Sequence, residues 1–99
     1  MVWGDIAPGL QMAQACHAMA AFAAAYPEEC ASWHADGNNL VCLSVPGEGE
    51  LRALAAKALV RGCLATVFVE PDLGGQATAA ALTGQAKGML RPLRLALAA

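Results

Sequence analysis

No lysine or arginine occurs in the first half of this 99-residue chain; all six cations, Arg52, Lys57, Arg61, Lys87, Arg91 and Arg94, follow in the second. With a net charge of −2, a broad basic nucleic-acid surface is disfavoured, because phosphate binding draws on clustered Lys and Arg. A local basic patch in the second half stays open. Aromatics are scarce as well, limited to Trp3, Phe22, Tyr26, Trp33 and Phe68. Cys16, Cys30, Cys42 and Cys63 are separated by 14, 12 and 21 positions, with no C-x-x-C pair and so no zinc-ligand spacing. They read as reduced thiols of a cytoplasmic protein. Met1–Asp5 has neither the positive nor the apolar region of a signal peptide, and the longest apolar stretch, Ala18–Tyr26, is far below the roughly 20 residues of a membrane helix. No Ser, Gly or Pro linker and no internal repeat divides the chain, so one domain over residues 1–99 is expected.

What is present is alanine, which supplies much of the 58% hydrophobic fraction. Alanine-lined helices pack closely while each residue buries modest apolar area, so the expected core is tight and thin. Met1–Asp5 reads as a short strand. Leu10–Ala25 reads as a strong helix that Pro27 stops, and Pro27 then opens a second, short helix through Trp33 or His34 with Glu28 and Glu29 at its positive end. Asp36–Asn39 is a turn, and the apolar run Leu40–Val45 predicts a strand covered on both faces. Leu51, Leu54, Ala55, Ala58 and Leu59 give Glu48–Arg61 an amphipathic helical spacing, capped by Gly62. Cys63–Val69 predicts a buried strand, making strand–helix–strand, the pattern of a crossover with two parallel strands.

After the Glu70–Gly75 turn, Gln76–Leu82 is expected to return as a strand despite its alanines, because the tight turn and the short length outweigh propensity. Gln85–Pro92 predicts a helical turn, and Leu93–Leu97 alternates as a terminal strand does. The expected class is α/β, a single-domain three-layer sandwich with a mixed four- to five-stranded sheet and helices on both faces.

Function is sought first where Asp5-Ile6-Ala7-Pro8-Gly9 runs into the first helix. Pro8 and Gly9 allow a sharp reversal that presents helix amides beside Asp5, and Gln14 and His17 lie one turn apart on one face. Cys16 points about 100° away from His17, which excludes a nucleophile–base pair.

Three motifs carry a resemblance to the type 2 peptidyl-tRNA hydrolase family. Asp5-Ile6, a Gly-containing turn and Ala13-Gln14-Ala15-Cys16-His17-Ala18 are similar to that family's signature on its first helix. Trp33 after a proline-started helix is the second match, and Glu70-Pro71-Asp72-Leu73-Gly74, after the third strand, resembles its acidic turn. The resemblance runs from Asp5 to about Leu97. It implies metal-free hydrolysis, without a cofactor, of the ester joining a peptide to the terminal ribose of tRNA. It makes Asp72 and His17 the catalytic candidates and Gln14 a substrate-binding candidate; Asp5 and the Gly9 amides at the helix opening, and Thr78 on the returning strand, are substrate-binding candidates by their own placement.

Each candidate also has a structural reading. Asp72 can tighten its turn, His17 can pack against a neighbour, Gln14 can face solvent, and Asp5 can bond turn amides. One departure bears on function: the family's first turn carries a lysine, whereas Pro8, Gly9, Leu10 and Gln11 include no cation. Lys57 or Arg61 replaces it only if the fold brings one of them to the site. The alternative to an esterase is therefore a catalytically impaired relative that binds RNA or protein. A further expectation is pairing of two copies, through the first helix or an exposed sheet edge.

Overall fold

Residues 1–97 are described by the computed structural model. Their elements are β1 (Val2–Trp3), α1 (Pro8–Ala25), α2 (Pro27–Ala35), β2 (Leu43–Val45), α3 (Glu48–Val60), β3 (Ala65–Glu70), β4 (Gln76–Leu82), α4 (Lys87–Leu90) and β5 (Arg94–Leu95). The five strands form one sheet in the order β3-β4-β1-β2-β5. β1 and β2 pair in parallel, β4 runs antiparallel to both β1 and β3, and β5 runs antiparallel to β2. β1, β2 and β3 therefore point the same way, and the turns following all three emerge at one end of the sheet. This is the mixed α/β architecture expected.

Helices cover both faces. α1 sets Gln11, Gln14, Ala18 and Phe22 inward, a row at helical spacing. Its lower half packs Ala18 and Phe22 with Val2, Ala79 and Ala81. On the other face, Leu51 and Ala58 of α3 pack with Val45, Ala77, Ala80 and Leu90. Burying a side chain such as Leu51 or Phe22 is worth about 1.5–3 kcal/mol. β4 lies between the two layers. Its alanines are poor strand formers, yet each is buried, and their small size lets helix backbones approach from both sides. α2 packs on α1 rather than on the sheet.

Three expectations change. Only Leu43–Val45 of the run 40–45 pairs as a strand; Leu40 is 64% exposed and Val41 48%, so the run is not covered on both faces. The physical reason is a short partner: β5 offers two residues, and the ladder ends with Leu43 opposite Leu95. β3 is an edge strand, mostly half-buried, with Val69 42% exposed. Finally, β2 and β3 share a direction but are not neighbours, since β1 and β4 lie between them; the parallel pair in direct contact is β1–β2.

One irregularity positions the site. The β3–β4 register shifts between Phe68, opposite Ala79, and Val69, opposite Ala77, which leaves Thr78 as an extra residue in β4. Such a bulge breaks the alternation of faces. Thr78 and Ala79 consequently both turn toward α1.

Candidate active site

Polar groups of α1 meet the sheet above this bulge. Gln14, 1% exposed, accepts a hydrogen bond from the Thr78 hydroxyl and donates from Nε2 to Glu70 Oε1 at 3.3 Å. Thr78 is fully buried, so its hydroxyl needs a partner, and the bulge aims it at the Gln14 amide oxygen on α1. Three residues further along α1, His17 lies flat on Phe68, ring centroids 4.7 Å apart and planes 17° from parallel. Next, the Thr66 hydroxyl donates to the Ala18 carbonyl at 3.3 Å. Thr66, Phe68 and Glu70 alternate along β3 and so present one row to α1, as the two-residue period of a strand requires.

The bulge is also held from the opposite face. Glu48, at the start of α3, accepts the Ala77 N–H at 2.6 Å and the Arg52 Nε–H at 3.1 Å. The backbone donor of Ala77, and then Arg52, hold the Glu48 carboxyl below the ordinary glutamate range.

At the opening of α1 the expected reversal at Gly9 is not found. Pro8 is already the first helical residue, and Gly9 is absent from the glycines with positive φ. The turn at Gly4–Ile6 is tied by Gln11, whose Nε2 donates to the Ile6 carbonyl at 2.8 Å and more weakly to the Gly4 carbonyl at 3.4 Å. Asp5, read as the bonder of turn amides, is exposed and takes no part in this. The N-cap, Ala7, offers no side-chain acceptor, and no acidic residue stands in the first turn. The Gly9 and Leu10 N–H groups thus lack the intrahelical acceptor that later residues have, and a Cβ at Gly9 meets nothing within 4 Å.

Asp72 occupies a single 3₁₀ turn, Pro71–Leu73, directly after Glu70, and is exposed. Gly74 closes that turn at φ +69°. The turns after β1 and β3 stand at the same end of the sheet, two strand spacings or roughly 10 Å apart. Among the predicted residues, Gln14 and Thr78 are thus in direct contact, and His17 lies on the same face. Among the described residues no hydrogen bond joins Asp72, Asp5 or Gly9 to them. Lys57 and Arg61 are not brought in, because α3 packs on the far face and offers its other end, at Glu48, to the bulge.

Glu70, Phe68 and Gln11 are functional candidates that sequence reasoning assigned no role. Period-two alternation in β3 carried a signal for the first two; Gln11 carried none, because its partners are backbone carbonyls. A cavity of about 1110 Å³ lies elsewhere, lined in part by Met12, Cys16, Trp33, Leu40, Arg91 and Leu95. None of the six predicted residues lines it. Among the described residues no three His, Cys, Asp or Glu side chains gather as a metal site, and the four cysteines are unpaired. No described helix is long and apolar enough to cross a membrane.

A search of curated proteins gave no match. The family model described as peptidyl-tRNA hydrolase PTH2 matches residues 5–90, a span that runs from Asp5 through the Gln14–Thr78 contact and the Asp72 turn to the end of α4. The chain therefore belongs to the type 2 peptidyl-tRNA hydrolase family.

Proposed function

We propose that this protein hydrolyses peptidyl-tRNA, releasing the peptide from the terminal ribose. The observation that carries this reading is the Gln14-centred cluster, which joins α1 to the β4 bulge and to Glu70, two residues before Asp72, within the family-matched span. In this reading Asp72 takes a proton from a water molecule as the water oxygen attacks the ester carbonyl carbon. The carbon–oxygen bond to the ribose then breaks, and the proton held by Asp72 passes to the ribose oxygen. Gly9 and Leu10 N–H groups stabilise the developing oxyanion. Thr78 and Glu70 fix the orientation of the buried Gln14 amide, which braces α1 against the bulge beneath the site. His17, flat on Phe68, forms a wall. Asp5 stands beside the entrance.

Turnover of purified protein on peptidyl-tRNA is the test. Asp72→Asn is expected to lower kcat by a factor of about 10²–10⁴, the usual worth of a general base, with thermal stability unchanged because the side chain is exposed. Wild-type turnover in that variant rejects the role of Asp72. A second reading, an RNA-binding relative without catalysis, is favoured by one observation, the absence of any cation before Arg52. Binding of tRNA with no peptide release is the result that selects it.

A further inference from the structure

α1 has two working flanks. His17 stacks on Phe68 along the β3 side, while Met12, Cys16 and Met19, at helical spacing on the opposite flank, line one wall of the cavity of about 1110 Å³. Trp33 of α2, with Leu40 and Leu95, continues that lining. Met12 is 58% exposed, Leu40 64% and Leu95 63%, so large apolar side chains of one concave surface meet solvent. Single exposed apolar residues are ordinary, whereas several gathered around one groove mark a binding site. Three observations say what fits it. The groove reaches Met12, one helical turn after Gly9, whose N–H stands at the α1 opening where the oxyanion is held in the reading above. From Met12 to Met19 it follows α1 for about 10 Å, the length of roughly three residues of extended peptide. Its lining also carries two exposed carboxylates, Glu29 and Asp36, and two exposed cations, Lys87 and Arg91, so the charges cancel; a polyanion gains nothing there, and a neutral apolar chain has no charge to desolvate.

We infer that this groove holds the peptide part of the substrate, the residues N-terminal to the ester, and that it favours apolar peptides several residues long over a single acylated amino acid. The inference rests on the peptidyl-tRNA reading for the ester and adds where the peptide lies. From the carbonyl at the α1 opening the peptide passes Met12 and follows the flank of α1 opposite His17, so that α1 stands between it and the Asp72 turn. Methionine is unbranched and polarizable and adapts to neighbours of different shape, which suits Met12 and Met19 to a ligand whose sequence varies.

The experiment measures release of acetyl-alanine and of acetyl-trileucyl-alanine from tRNA, two substrates with the same ester. It compares the unaltered protein with two double variants at exposed apolar positions, Met12→Asn/Leu40→Asn in the groove and Leu59→Asn/Val60→Asn on α3 outside it. Matching thermal melts verify that both fold. The unaltered protein is expected to show a KM for the longer substrate roughly 10-fold below that for the shorter, which corresponds to about 1.4 kcal/mol, less than one fully buried leucine. The 12/40 variant is expected to lose that preference with kcat unchanged, and the 59/60 variant to keep it. A shift of tryptophan fluorescence on adding acetyl-trileucyl-alanine amide, absent in Trp33→Phe, reports binding without turnover. Equal KM values in the unaltered protein, a preference that survives in the 12/40 variant, or one lost equally in the 59/60 variant overturns the inference. So does a 12/40 variant that only loses a dimer in light scattering, which makes the groove a contact between copies, or one that loses affinity for deacylated tRNA, which makes it an RNA site. No release from either substrate with the fluorescence shift intact sinks the hydrolase reading and leaves the peptide groove standing. Release from both with neither shift nor preference does the reverse.

Discussion

Replacing Gln14 with leucine removes the acceptor of the Thr78 hydroxyl and the donor to Glu70 in one step. The two side chains are similar in size, so the cavity contribution is small and the cost falls on unmet hydrogen bonds. Thr78 is fully buried, so its hydroxyl is shielded from bulk solvent. A buried hydroxyl left alone costs about 1–3 kcal/mol, and the extra apolar area of leucine offsets part of it. The expected net loss is about 2 kcal/mol. For a domain of this size that lowers the thermal midpoint by roughly 8–16 °C and the urea midpoint by about 1 M. Thr78→Val alone is expected to cost about 1–2 kcal/mol, because it leaves the buried Gln14 oxygen without its donor. The double variant Gln14→Leu/Thr78→Val removes both partners and is expected to recover most of the loss, a coupling of about 1–2 kcal/mol in a double-mutant cycle. Urea titrations of the four proteins decide it. Costs that add to within about 0.5 kcal/mol mean that the two side chains act independently, and the reasoning about the cluster is then wrong.

The depressed Glu48 carboxyl fixes a pH dependence. Its folded pKa lies below its unfolded one, so the stability it contributes is present above about pH 4.3 and is lost as pH falls through the folded value. Acid titration of thermal stability is expected to show a loss in that range that Glu48→Gln flattens; an unchanged profile rejects the Ala77 contact as its source. Two glycine replacements separate backbone strain from space. Gly62 has φ +86° with open space around a Cβ, so Gly62→Ala is expected to destabilise by about 1 kcal/mol, whereas Gly9→Ala, in ordinary helix, is expected to stabilise by about 0.5–1 kcal/mol. Equal effects of the two in calorimetry refute that distinction. Ala79→Leu forces three extra carbons between α1 and the sheet at a fully buried position, with an expected cost of about 1–3 kcal/mol; a midpoint at or above the wild-type value shows slack in that layer.

Much of the element order was legible because local chemistry and tertiary context agree. Pro27 separates α1 from α2, Gly62 ends α3, and the Pro71–Gly75 turn returns the chain as β4 although Ala77 to Ala81 favour helix by propensity. That last strand was readable from its boundaries rather than its residues. The run 40–45 shows the converse. Its apolar residues satisfy a strand pattern, but pairing needs a neighbour, and past Leu43 the β5 side supplies a single backbone bond, from the Ala96 N–H to the Cys42 carbonyl at 2.9 Å, and nothing for Leu40 or Val41.

The sequence by itself determined the helices, the turns and the family motif, since each depends on residues within a few positions of one another. It also placed every cation after residue 51. Only the tertiary structure decided that Gln14 is buried rather than solvent-facing, that Glu70 is its partner, and that Thr78 bulges out of register to meet it. Those outcomes join residues 56 and 64 positions apart. They depend on strand register and on how closely α1 packs over β3 and β4, and a one-residue change in register reverses which face a side chain occupies.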